Sequence, residues 1–499
     1  MKKLLNYLSI SDIERISFRN DINGLRAIAV LAVVFYHGDL EIFNGGWLGG
    51  DIFFVISGYL ISNIIISELN AGTFTFRNFY LRRVRRIIPA LFSTLLLTIP
   101  FAYWLLTPKA MMEYVNSLIS SIFFYANYYF QNLDFYNAAP TKVMPLLHTW
   151  SLAIEEQFYL VFPLFCFVIF KFSKKYFSIA LGIIFLFSIF LNSTTSEIIK
   201  FYQFQFRAWE LVLGSLVMLL QYKFKIKHTE KIGFVLIFFS IFYFDDSMLT
   251  LNSIEPRLIS NLGVALILFS NSKNIVSQFL SNSFFSFIGI ISYSIYLFHQ
   301  PLFAFIILIQ KRHSFIKGPY VFFLTVVFLI LASYLNWKFV ENKLQHTSAK
   351  ILFATLIIFL ILFILFIFVA YSNDGFVNRY DYIPEDVLFY SINPNIYPEM
   401  YPDKDYKFKN SDCNNQFSEI YYCIWFNEIS DKTIYLVGDS QTNALSVSFL
   451  VELESLNKEY NLVFLTNKVG RCLLSQQSDT VGEVKECSNE YFEEFINLL

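Results

Sequence analysis

The sequence predicts a polytopic α-helical membrane protein, about ten core helices plus one tether helix, followed by a partial α/β domain outside the membrane. Three observations carry this. Hydrophobic residues make up 56% of the 499 and charged residues only 15%, against about a quarter charged in soluble domains. Apolar stretches that match a hydrocarbon core of roughly 30 Å recur down the chain. Near residue 373 the composition turns to Asn, Asp, Tyr and Pro, and then to a strand–helix pattern. The 60 Phe and 31 Tyr exclude disorder. The net charge of −1 gives no basis for binding nucleic acid.

The predicted spans are 25–40, 51–67, 87–106, 153–170, 176–192, 206–221, 232–245, 257–271, 284–309, 319–338 and 351–371. Residues 1–24 lack an uninterrupted apolar core and carry Asp12 and Glu14, so no cleaved leader is expected there. Segment 114–131 carries Asn, Ser and Gln; it reads as an interfacial or partly buried helix and is not counted. Lysine and arginine gather in alternate loops, as at Arg15 and Arg19, Arg82 to Arg86, and Lys171 to Lys175, with loop 310–317 discordant. That bias places the N-terminus in the cytoplasm, and an odd number of spans places the tail outside it.

Cysteine usage points the same way. Cys166 stands alone in a span, whereas Cys413, Cys423, Cys472 and Cys487 all lie in the tail. An even set in one compartment suggests disulfides. Of the three pairings, the local one (413 with 423, 472 with 487) is favoured. The alternative is four reduced, buried thiols.

The expected organisation is a membrane domain over 1–345, an additional transmembrane helix within 346–375, a linker with a cysteine pair over 376–431, and the first part of an α/β domain over 432–499. Span 351–371 is nearly pure Phe, Ile, Leu and Ala, which suits a tether. In the tail, Thr433–Val437 and Leu462–Thr466 read as buried strands, and Thr442–Leu456 as a helix after the Gly438-Asp439-Ser440 turn.

Ionisable groups at membrane depth are costly, so each is a candidate for function. Arg26 and His37 share a helix face, roughly 16 Å apart along the axis. Arg26 falls at the cytoplasmic mouth and His37 well inside or towards the far side. Imidazole titrates near neutrality and suits acid–base work; a packed, hydrogen-bonded histidine is the plain alternative. Arg83 and Arg86, at i and i+3, can face one anionic ligand or simply anchor the loop. His148, Ser151 and Glu155 lie near one face, where a carboxylate beside a histidine would orient it; capping of a helix N-terminus explains them equally. Ser292, Tyr296 and His299 share another face, with Pro301 expected to kink the helix beyond. Hydrogen bonding between helices alone also accounts for them.

Taken in order, these segments resemble the acyltransferase family 3 membrane O-acyltransferases over about residues 19–345. The motifs are FRNDINGLRAIAVLAVVFYH with Arg26 and His37, GGWLGGDIFFVISGYLI with Asp51 and Ser57, LRRVRRIIPA with Arg83 and Arg86, HTWSLAIEEQFYL with Glu155 and Tyr159, and SYSIYLFHQP. The resemblance implies acetyl-CoA or another acyl-CoA as donor, an essential His37 acting as base or as transient acyl carrier, and arginines that engage the donor; no metal is implied. Glu341 in FVENKL also fits, although the family often has Pro where Lys343 stands.

The tail resembles an SGNH hydrolase-like domain. Gly438, Asp439 and Ser440 match its nucleophile block and Gly470 its second block, which implies Ser440 as nucleophile and the Ser440 and Gly470 amides as oxyanion donors. None of the six histidines lies in the tail, so a base for Ser440 is missing. The domain is expected to be truncated, or else degenerate. The implied function is acyl transfer, with acetyl as the family default, from cytoplasmic acyl-CoA to a hydroxyl of an envelope polysaccharide such as the lipopolysaccharide O-antigen, in a bacterial inner membrane. Peptidoglycan is an alternative acceptor. A flippase for a lipid-linked sugar is the alternative of another class, although no internal repeat supports it.

Overall fold

The computed structural model describes residues 19–379, apart from 134–139, 193–196, 223, 225, 227, 246–253, 271–273 and 313–317, together with strands at 421–426, 433–438 and 461–467. The chain divides into two compact units, 1–379 and 380–499.

The first unit is helical. Its helices are α1 (Asn20–His37), α2 (Gly49–Asn70), α3 (Phe76–Leu105), α4 (Pro108–Ile122), α5 (Ala126–Gln131), α6 (Thr149–Ser173), α7 (Phe177–Asn192), α8 (Glu197–Tyr202), α9 (Phe204–Leu220), α10 (Thr229–Tyr243), α11 (Glu255–Phe269), α12 (Ile275–Leu280), α13 (Ser283–Ile290), α14 (Ser292–Arg312), α15 (Pro319–Asn336) and α16 (Ala349–Ser372). Among the described residues, seven stretches are long and apolar enough to cross a membrane: Glu41–Asn70, Phe76–Leu105, Thr149–Phe172, Lys174–Asn192, Ser292–Lys311, Tyr320–Gln345 and Ala349–Ser372. The chain is therefore a polytopic helical membrane protein. The other four predicted spans fall on α1, α9, α10 and α11, helices of 18, 17, 15 and 15 residues that are shorter or more polar.

Three local readings are refined. The apolar stretch 284–309 is two helices, α13 and α14, broken at Ile291. Pro301, expected to kink the helix, lies inside α14, which continues from Ser292 to Arg312. Segment 114–131 is divided between α4 and the short α5.

Local chemistry fixes the helix starts. The Thr75 and Thr107 hydroxyls accept from Asn78 N and Ala110 N at the first turns of α3 and α4, satisfying amides that a helix start leaves free. Packing depends on close approach. Helices α2 and α9 cross so tightly that a Cβ on Gly58 would overlap the Leu211 carbonyl, and one on Gly214 the Val55 carbonyl. The Ser62 and Ser215 hydroxyls meet across the same seam at 2.6 Å. Small residues and paired hydroxyls are what bring helices together where apolar lipid removes the hydrophobic drive. Helix α16 lies at the periphery against α3 and α4, where Phe363 meets Phe92 edge-on at 5.4 Å.

The second unit contains a three-stranded sheet: β1 (Tyr421–Phe426), β2 (Thr433–Gly438) and β3 (Asn461–Asn467), in the order β1-β3-β2. Strand β2 runs parallel to β3, with Ile434 opposite Leu462, and β1 runs antiparallel, with Cys423 opposite Leu465. Both strands read from the sequence are present. Strand β1 lies inside the stretch read as a linker, which corrects that reading: its YYCIWF run is apolar enough to join the sheet. Asp439, Ser440, Gly470, Cys413, Cys472, Cys487 and the expected helix Thr442–Leu456 lie outside the described residues.

Candidate active site

The candidate residues of the membrane unit line two cavities. The first, of about 330 Å³, is lined by Arg26, Arg83, Arg86, Glu155, Tyr159 and Ser292, among others. Helix α1 supplies Arg26, α3 the arginine pair, and α6 the Glu155 and Tyr159 side chains. Among the described residues, Arg26, Arg83 and Arg86 form no ion pair. Their neighbours in the same patch of sequence do: Arg82 holds Glu68 at 2.8 Å, and Arg19 holds Asp21 at 2.7 Å while donating to the Tyr59 hydroxyl. The nearby carboxylates are held by hydroxyls instead. Glu155 accepts from Ser57, which itself accepts from the Tyr159 hydroxyl at 3.2 Å. Glu341 accepts from Ser294 at 3.3 Å. The Ser292 hydroxyl turns back to the Gly289 carbonyl at 2.9 Å.

The second cavity, of about 390 Å³, is lined by His37, His148, His299, Asp51, Trp150 and Arg207, among others. The three imidazoles form a cluster. His299 has ring centroids 4.9 Å from His37 and 5.3 Å from His148. The ring of Tyr296 adds itself at 5.1 Å from His299 and 5.6 Å from His148. His37 Nδ1 lies 2.9 Å from the Val33 carbonyl and His299 Nδ1 2.6 Å from the Tyr296 carbonyl. A carbonyl only accepts, so both Nδ1 atoms carry a proton, and in the neutral ring the lone pair is then on Nε2. His299 Nε2 and both nitrogens of His148 are buried without a hydrogen bond of normal geometry among the described residues.

Asp51 is occupied in another way. It pairs with Arg207, whose Nε also lies 2.8 Å from Glu210. The Arg207 guanidinium sits over the rings of Phe54, Trp150 and Phe201 at 5.5–5.7 Å. Neither Arg207 nor Glu210 was singled out from the sequence. The signal was available as an i,i+3 charge pair within an otherwise apolar stretch.

Gly50 and Tyr296 line both cavities. The Ser151 and Tyr296 hydroxyls meet there at 2.5 Å, and the Tyr296 hydroxyl also donates to the His148 carbonyl at 3.3 Å. The face shared by His148, Ser151 and Glu155 is thus split. His148 belongs to the imidazole cluster, Ser151 to the dividing wall, and Glu155 to the arginine cavity rather than to a histidine.

The model of the acyltransferase domain family matches residues 19–338. The chain belongs to this family. It is similar to a protein of Staphylococcus aureus strain MSSA476 named as a putative O-acetyltransferase, at 30% identity over 368 residues, covering 68% of this chain and 59% of the relative. It is also similar to the O-acetyltransferase OatA of Staphylococcus aureus strain NCTC 8325 / PS 47, at 29% identity over 364 residues, covering 66% and 57%. The chain therefore spans less than two thirds of the length of these curated relatives. No solved structure matches it significantly. The family match covers α1 to α15 and thereby every residue named as lining the two cavities.

Proposed function

We propose that this member of the acyltransferase family is an integral-membrane O-acetyltransferase, with cytoplasmic acetyl-CoA as donor and a sugar hydroxyl of an envelope polysaccharide as final acceptor. The observation that carries the reading is the pairing of the two cavities. Three guanidiniums without ion pairs among the described residues stand in one, three clustered imidazoles stand in the other, and the two share Gly50 and Tyr296.

Guanidiniums grip phosphate bidentately, which suits the nucleotide and pyrophosphate end of the donor. The pantetheine arm then extends towards Tyr296 with the thioester leading. His37 Nε2 takes the proton of an attacking hydroxyl. The hydroxyl oxygen bonds to the acyl carbon, the C–S bond breaks, and the thiol leaves with a proton returned through the imidazoles. The same lone pair suits His37 as a transient acyl carrier. In the two-stage form of the reading, the first acceptor is Ser440, which passes the acyl group on to the sugar outside the cell. The bacterial inner membrane, with the N-terminus in the cytoplasm and the eleven-span topology, belongs to this proposal. So do the SGNH-like assignment of the tail and the choice between lipopolysaccharide and peptidoglycan as acceptor. The names of the relatives support the acetyl group and the oxygen acceptor.

The test is acetyl transfer from labelled acetyl-CoA to envelope polysaccharide in membranes carrying the full chain, beside His37→Ala. Acid–base groups of this kind contribute about 10²–10⁴-fold, so transfer is expected to fall by roughly 10³-fold or to vanish. Undiminished transfer in the variant removes His37 from the mechanism.

A further inference from the structure

The glycines near the wall between the cavities differ in what holds them. A Cβ on Gly46, Gly49 or Gly58 would overlap a backbone carbonyl of a packed neighbour, so close packing accounts for each. Gly50 is different. A Cβ there would meet nothing within 4 Å, although the residue is half-buried and lines both cavities. Packing leaves room for a side chain at this position, and the chain places none there. Phe53, one turn on, and Tyr296 line the arginine cavity with Gly50, their rings 6.0 Å apart between centroids and edge-on. The open space thus lies in a cavity that carries aromatic carbon, at the position shared by the arginine and imidazole cavities.

We propose that the open volume over Gly50 seats the acyl chain of the donor, and that the missing side chain sets how long a chain the protein takes. This rests on the acyl-CoA reading above and goes further, because it assigns the acyl end of the donor to one position. The chemistry is apolar burial. Each added methylene gains affinity while the seat has room and loses it once the seat is full. A side chain at position 50 occupies that room first. The seat therefore admits acyl groups longer than acetyl, and a branched residue at position 50 confines it to the shortest.

The experiment is binding of CoA, acetyl-CoA, propionyl-CoA and butyryl-CoA to the purified full chain in detergent, for wild type and Gly50→Val. CoA itself is expected to bind both alike. The ratio of butyryl-CoA to acetyl-CoA affinity is expected to fall at least tenfold in the variant, since a single methylene in a filled pocket costs about tenfold or more. Gly182→Val serves as control, because position 182 on α7 is equally open and lines neither cavity; its ratio stays at the wild-type value. If Gly50→Val loses CoA binding together with its monodisperse elution, Gly50→Ala decides, with a threefold or greater fall in the ratio expected. An unchanged ratio with CoA bound normally overturns the seat and leaves the donor reading standing. Failure of the wild type to bind CoA in any form overturns the donor reading, and the seat with it.

Discussion

The two cavities treat the same side chain in opposite ways. In the histidine cavity Arg207 is 1% exposed and is paired with Asp51 and Glu210 beneath three aromatic faces. In the arginine cavity Arg26, Arg83 and Arg86 are without ion pairs among the described residues, while Glu155, which lines it, and the nearby Glu341, which does not, are held by serine hydroxyls. A buried charge costs several kcal/mol unless it is compensated. Where the chain supplies the counter-charges itself, as at Arg207, the charge belongs to the fold. Where carboxylates stand near but do not close on the guanidiniums, the cations remain open to an anion from outside the chain.

This contrast is broken or sharpened first at Arg207. Arg207→Ala leaves Asp51 and Glu210 buried without their cation, a loss of about 3–5 kcal/mol. Thermal unfolding in detergent is expected to show a large drop in the midpoint, with little folded protein recovered. A variant as stable as the wild type would mean that the Arg207 cluster is not part of the scaffold. The next effect is smaller and of another kind. The double variant Arg83→Ala, Arg86→Ala removes no ion pair among the described residues, so its unfolding midpoint should stay close to the wild-type value. Charge-assisted hydrogen bonds contribute about 1.5–3 kcal/mol each, so its affinity for CoA is expected to fall at least about 100-fold. Lysine at both positions restores only part of this, because the bidentate fork is lost. His37→Ala provides the crossed control: CoA affinity is retained while transfer is lost. A double variant that binds CoA normally would make the arginines an anchor and nothing more.

The helical scaffold was legible because lipid imposes length and composition on each span. The strongest stretches, such as Ala349–Ser372, are unmistakable. The break at Ile291 was not legible, since an apolar run gives no sign of a one-residue interruption that tertiary packing sets. Strand β1 was missed because YYCIWF stands beside a Pro- and Asn-rich stretch and gains its partner only through β3. Within the site, helical spacing placed Arg26 and His37 on one face and left each in a different cavity, as eleven residues of helix require. The same spacing misled at Glu155. It shares a face with His148, but the wall at Ser151 and Tyr296 divides that face. Arg207 and the convergence of His37, His148 and His299 needed tertiary structure, because three histidines from three distant segments carry no mutual signal in the sequence.

The smallest effect tests whether the mouth of the histidine cavity is charged by design, as the arginine cavity is. Asp39 follows α1 with φ +58°, a conformation aspartate tolerates. Its carboxylate meets Lys142 at 2.6 Å, and both line the histidine cavity. The turn that carries Lys142 is tied down independently, since Gln300 Nε2 donates to the Thr141 carbonyl at 3.3 Å and the Met144 carbonyl at 3.1 Å. The Lys142 and Asp39 side chains are 66% and 62% exposed, so solvent screens the pair and its contribution is about 0.2–1 kcal/mol. The turn does not depend on it. Lys142→Ala should therefore leave the unfolding midpoint unchanged and alter acetyl transfer by less than about threefold, with the difference shrinking as salt is raised. A tenfold or greater loss that persists at high salt would show that this lysine engages the acceptor directly. The histidine cavity would then carry a ligand-facing cation of its own, and the division between a donor side with open cations and an acceptor side whose lining cations are paired would fail.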